Sequence, residues 1–174
     1  SNDLAGASRL APLLDLNLSL EDTIAAARSQ TQLTHGDPSV IDSAEFFVRA
    51  IFAVKAGSTF LDAFHTAAQE GQYTTLDASS HLQTAIDKGA EGDHLAVASS
   101  LGLTCHFPEA FPLTLYYAIH HGENFADCMS QNALAGGDSS ARAMLLTLLF
   151  TAKDHPADIA EILRLVEDLT LAAP

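Results

Sequence analysis

Residues 40–57, VIDSAEFFVRAIFAVKAG, decide how the chain must be read. Ile41, Ala44, Phe47, Val48, Ile51, Phe52 and Val54 recur largely at steps of three and four, which is the period of a helix face and not of a strand. Gly57 ends the pattern at the place where helices commonly finish on a residue able to turn left-handed. The break before it, THGDPS, supplies Pro38, and proline suits the first helical position because the amide hydrogen it lacks has no partner there.

The same period continues in both directions. Upstream, Leu20, Ile24, Ala27 and Leu33 share a helix over residues 20–33, with Ser19 placed to cap it before Glu21 and Asp22. Downstream, residues 59–70 put Phe60, Ala63, Phe64 and Ala67 on one face. Ser79 or Ser80 caps a helix through Ile86, and Gly92 opens a short one through Leu101. Residues 108–119 carry Phe111, Leu115, Tyr116 and Ile119, which requires Pro112 to lie in the first turn. Helices are also expected over 125–134, 138–150 and 156–172, the last with Ile159, Ile162, Leu163, Val166 and Leu169 along one stripe. No stretch alternates as a strand does. The expected fold class is all-α, about eight helices with short connections.

With 174 residues and no shift in composition, a single all-helical domain over 1–174 is expected. Lys and Arg number 8 against 22 Asp and Glu, a net charge of −14. That field repels phosphate backbones and excludes nucleic acid as the natural partner. The longest apolar run, near Met144–Phe150, is too short to span a bilayer, so no membrane partner is expected. Cys105 and Cys128 fit neither a metal spacing nor a disulfide framework, which points to a reducing cytoplasm. The chain opens on Ser1 instead of Met, as a fragment or a processed product does.

Several residues carry possible chemistry. Asp138 follows Gly136 and Gly137 at the start of an apolar helix pattern, and it admits two readings. It is a good helix N-cap, and a carboxylate at a helix end flanked by glycines is also a common ligand for a hard cation. His35 and Asp37 lie in a loop between two well-marked helices, where binding groups tend to sit. The bland alternative has Asp37 capping the next helix and His35 donating to a carbonyl. His120 and His121 close a helix, where cationic side chains favour the dipole. Cys105 beside His106 reads as a small buried thiol, since adjacent residues rarely point at one another. No HxxxH pair, no GxSxG elbow and no phosphate-binding glycine loop occurs.

Three stretches together resemble one family. SNDLAGASRLAPL is similar to the NGxGAMRxAPL loop of the ADP-ribosylglycohydrolases, a group that includes the crystallin J1-like proteins. QTQLTHGDPSVIDSAEFFVRAI resembles that family's LTH segment. The run from Thr104 through NALAGGDSSARAMLLTLLFTA resembles its closing segment, in which a Gly-Gly-Asp motif precedes a helix of small residues. The resemblance implies an all-α, orthogonally packed bundle that cleaves ADP-ribosyl N- or O-glycosidic bonds, with two Mg²⁺ ions holding the ribose and activating water. It makes ADP-ribose or an ADP-ribosylated substrate the expected partner. It assigns the substrate-binding role to Asp3, Gly6, Ala7 and His35, and the metal role to Asp138.

The same resemblance marks departures. The family's GGDxDT motif is GGDSSA here, so Ser140 replaces the second aspartate and Ala141 the threonine. Leu4 and Ala5 replace the asparagine and the first glycine of the loop. Motifs of the GDxxG and TDDT kind, which supply further metal ligands, have no counterpart in the 174 residues. The implied enzyme is therefore impaired, either a C-terminal portion lacking its N-terminal half or a reduced form. The alternative is an inactive, crystallin-like structural or binding domain, with a homodimer covering the surface that a front half would cover.

Overall fold

The helical period of residues 40–57 is realised as the longest helix in a computed structural model that describes residues 1–153. The described elements are a 3-10 turn Leu4–Gly6, α1 (Ala11–Leu14), α2 (Leu20–Gln32), α3 (Pro38–Lys55), α4 (Phe60–Glu70), α5 (Ala78–Lys88), a second 3-10 turn Gly89–Glu91, α6 (His94–Leu101), α7 (Phe107–His120), α8 (Phe125–Ala135) and α9 (Ser139–Ala152). Among the described residues there is no strand, only an isolated bridge between Asp3 and His106. The helix expected over 156–172 lies outside the described residues.

The caps explain where most helices start. Ser19 accepts the Asp22 amide at 3.1 Å, Asp37 the Ser39 amide at 2.9 Å and Thr59 the Asp62 amide at 3.1 Å. Such side chains satisfy amides that have no partner within the helix. Two starts differ from expectation. Asp77, not Ser79 or Ser80, caps α5, and Asp93, not Gly92, begins α6. In both, a carboxylate accepts helix amides more strongly than a hydroxyl or a bare glycine would. Pro112 also departs from expectation: α7 begins at Phe107, so Pro112 stands in its second turn. There it forgoes one hydrogen bond while its neighbours Phe111 and Leu113 stay fully buried.

α3 lies at the centre, against α2, α4, α7 and α9. Burial therefore extends beyond the expected stripe to Phe46, Ala50 and Asp42. Phe46, Phe47, Phe64 and Phe111 pack with ring centroids 5.0–5.7 Å apart. Burying each ring stabilises the fold by about 1.5–3 kcal/mol. Phe60, Phe125 and Phe150 form a second group where α4, α8 and α9 meet.

One polar device lies within this core. The Asp42 carboxylate, fully buried, accepts the amides of Thr74, Thr75 and Leu76 at 2.7, 2.7 and 3.2 Å and pairs with Arg28 at 3.0 Å. Glu45 binds Arg28 and Arg49, each at 2.9 Å, and takes the Gln72 amide at 3.1 Å. These bonds tie the α4–α5 connection onto α3 and satisfy buried groups that would otherwise be costly.

Candidate functional site

The N-terminal segment is shaped by Asp3, whose Oδ1 accepts the Ala5 amide at 2.8 Å and starts the Leu4–Gly6 turn. Leu4 and Ala7, both fully buried, pin the turn against α3, α7 and α9. Gly6 is needed there for want of space. A Cβ at this position would lie 2.5 Å from Cγ and 2.7 Å from Cβ of His35, so the imidazole sits against the bare glycine backbone. Thr31 donates to the Gly6 carbonyl at 3.3 Å from the other side. His35 does not donate to a carbonyl as expected. Its Nδ1 lies 2.8 Å from the Thr34 hydroxyl, which also receives the Arg9 guanidinium.

The Leu103–His106 loop forms the opposite edge. The Leu4 amide donates to the Cys105 carbonyl at 2.9 Å, and the Phe107 amide to the Asn2 carbonyl at 2.8 Å. His106 Nδ1 meets Asn2 Oδ1 at 2.7 Å. The Gly136–Asp138 turn docks on the same loop, with the Asp138 amide donating to the Leu103 carbonyl at 3.0 Å. Gly136 and Gly137 have φ of +73° and +63°, and a Cβ on Gly137 would fall 2.0 Å from the Leu103 oxygen. A left-handed backbone at such close approach admits only glycine.

Asp3 and Asp138 thereby converge on one thiol. Cys105 is half-buried, not buried as expected, and lies beside the Asp3 carboxylate. That carboxylate, then burial, then the charge of Asp138 raise its pKa above the ordinary thiol value. Asp138 also corrects an expectation: it stands at the N-cap of α9, but its side chain caps no backbone amide. Its Oδ1 accepts the Ser140 hydroxyl at 2.9 Å instead, because the double-glycine turn swings the carboxylate off the helix axis.

Arg142 and Asn132 were invisible as site residues in the sequence, yet they hold this turn. Arg142, fully buried, donates to Asn132 Oδ1 at 2.8 Å and to the Gly136 carbonyl at 2.7 Å, while Asn132 donates to the Ser139 carbonyl at 2.9 Å. The two acceptors on the turn flank Asp138 on either side. The only hint in the sequence was an arginine on an otherwise apolar helix face.

The model of the ADP-ribosylglycohydrolase family matches residues 1–165. The chain belongs to that family. No curated protein and no solved structure gives a match. Family members act on ADP-ribosylated substrates and generally depend on a metal. The all-helical fold agrees with that membership.

The donor set at the family's Gly-Gly-Asp position does not fit a two-ion Mg²⁺ centre. Among the described residues, no three His, Cys, Asp or Glu side chains stand close enough to hold a metal ion. Asp3 directs one oxygen to the Ala5 amide and Asp138 one to Ser140, where a second carboxylate would have been a far stronger ligand for a hard cation. Two apolar grooves, of about 610 and 420 Å³, lie between α1 and α9, and Arg9 lines the larger. None of Asp3, Gly6, Ala7, His35 or Asp138 lines them.

Proposed function

We propose that this member of the ADP-ribosylglycohydrolase family binds ADP-ribosyl groups where Asp3–Ala7, His35 and Asp138 are presented, and that its hydrolysis of the glycosidic bond is impaired. The contact of His35 with Gly6 carries this reading, because it joins the two segments that family resemblance assigns to the ribose. Asp3 and Asp138 are acceptors suited to the paired hydroxyls of a ribose. His35 orients the sugar, and Arg9, one hydroxyl away through Thr34, supplies positive charge for the diphosphate. The donor set supports no step through paired Mg²⁺ ions, so catalysis is the part of the family's chemistry assigned as lost. The continuous core of α3–α9 supports a single domain, and the two free thiols support a reducing, cytoplasmic setting.

A second reading, a helical protein-binding domain, is favoured by the α1–α9 grooves and their exposed Met144. A homodimer would use the same face, and concentration-dependent sedimentation detects it.

The functional reading is tested by titrating ADP-ribose into the wild-type chain and into His35→Ala. Saturable binding that weakens about tenfold or more in the variant, roughly 1.4 kcal/mol, supports the site. Absence of binding by the wild type, or equal binding by both, overturns it.

A further inference from the structure

Away from this site, three histidines crowd the junction of α6, α7 and α8. His94, the first residue of α6, hydrogen-bonds through Nδ1 to the Tyr116 hydroxyl of α7. Its ring centroid lies 4.1 Å from that of His121, just past the end of α7. His120 lies against the other side of Tyr116, with ring centroids 4.8 Å apart, and its Nε2 meets the Ala85 carbonyl at 3.1 Å. His121 Nδ1 meets Asp127 Oδ2 of α8 at 2.7 Å, while its buried Nε2 has no partner. His120 and His121 were expected only to complement the helix end, but one ring nitrogen of each is committed to a side chain or carbonyl elsewhere in the fold.

The charged and titratable groups facing His94 are His121, His120, Tyr116 and Asp127 from the packed elements, and Asp93 from its own. The cluster therefore offers one carboxylate on α8 for three imidazoles, and His121 already occupies it. A proton added to His94 places a positive charge against the His121 ring, with the Asp127 carboxylate already taken. Burial, then the His121 and His120 rings, hold the His94 pKa below the ordinary histidine value.

Little else holds α6 down. Of its eight residues only Val97 and Ala98 are buried, and Leu95 is 49% exposed. Helices with so few buried contacts open at low free-energy cost. α6 runs through Gly102 into the Leu103–His106 loop, whose carbonyls accept the Leu4 and Asp138 amides.

We propose that the His94–Tyr116–His121–Asp127 cluster is a proton-operated latch that docks α6 onto α7 and α8 at neutral pH and releases it on acidification, loosening the loop that braces Leu4 and Asp138. The latch stands on packing and charge alone. Only its consequence for ligand binding rests on the functional reading above. Because the unfolded chain binds the His94 proton more readily than the docked state does, docking is favoured above the ordinary histidine pKa and weakens as pH falls below it.

Hydrogen exchange of the full chain, followed by NMR at pH about 7.5 and about 5.5, either side of the ordinary histidine pKa near 6.5, reads this directly. After correction for intrinsic rates, protection of the Val97, Gly102, Leu4 and Asp138 amides is expected to fall several-fold at the lower pH, and by no more than about tenfold, the limit for one histidine over this interval. Amides in the middle of α3 should hold. His94→Gln, which keeps a polar side chain but does not titrate, should abolish the difference. The latch is overturned by equal protection at both pH values, by a loss shared with α3, or by a variant as pH-sensitive as the wild type. If the variant fails to fold, the wild-type His94 ring decides the matter, since titration at or above the ordinary value also overturns it. Repeating the exchange with ADP-ribose separates the two proposals. A latch that opens in a chain with no affinity for ADP-ribose at either pH would sink the functional reading and leave the latch standing.

Discussion

Replacing Gly137 with alanine addresses the element that presents Asp138. Two costs add there. The φ of +63° places an alanine in the left-handed region, at about 1–2 kcal/mol. The new Cβ would meet the Leu103 carbonyl oxygen at 2.0 Å, a backbone atom that cannot swing aside as a side chain does. Overpacking of this kind costs about 1–3 kcal/mol. The expected loss is therefore roughly 2–5 kcal/mol, or about 4–20 °C in Tm for a chain of this size. Urea unfolding followed by circular dichroism measures it, with an unchanged m-value as the sign that the denatured state is unaffected. Gly36→Ala serves as the control. It lies beside His35 with nothing within 4 Å of a Cβ and an ordinary φ, so it should gain about 0.4–1 kcal/mol through the unfolded chain. A loss under about 1 kcal/mol for Gly137→Ala would refute the close approach of turn and loop on which the site's geometry depends.

Asp42→Ala removes the acceptor of three loop amides and the partner of Arg28, and breaking such a buried pair should cost about 3–5 kcal/mol in urea unfolding. Although burial by itself raises the Asp42 pKa, the amides of Thr75, Leu76 and Thr74 and the Arg28 pair together hold it below its ordinary value. Its stabilisation is thus present above that ordinary value and lost as pH falls through the depressed one, and Asp42→Ala should show a flatter acid limb than the wild type. An equally steep limb would place the linkage elsewhere. For the convergence on Cys105, Asp3→Asn should speed alkylation of that thiol several-fold at neutral pH, because it removes the neighbouring negative charge that raises the thiol pKa. Cys128, buried and pushed up to about 12, should stay silent in both proteins. An unchanged Cys105 rate would mean that the Asp3 carboxylate does not rest on the thiol.

What the sequence disclosed follows from the range of the forces involved. The helix of residues 40–57, its stop at Gly57 and the caps at Ser19 and Asp37 depend on neighbours within one or two turns, and all were legible. Pro112 was misplaced because burial of Phe107 and Phe111 outweighed a local rule. Asp138 satisfied every local condition for a cap, but the docking of Gly137 on Leu103 turned its carboxylate toward Ser140. Gly6 and His35 were each singled out by resemblance, while their contact arises only when α2 brings the two segments together. Cys105 was read only as a small buried thiol, and the bracing role of Arg142 was not read. A half-buried thiol between two carboxylates and a buried guanidinium bracing a turn are products of tertiary packing, and no periodicity announces them.

The proposal is that this chain binds ADP-ribosyl groups while lacking, among its described residues, the donors for paired Mg²⁺ ions. Calorimetric titration with ADP-ribose, with and without millimolar Mg²⁺, tests it most directly. The account predicts saturable binding whose affinity is the same within about twofold in both conditions, a difference under roughly 0.4 kcal/mol. Binding that appears only with Mg²⁺ would contradict it by requiring a metal centre, and no binding in either condition would leave the family's fold without its ligand.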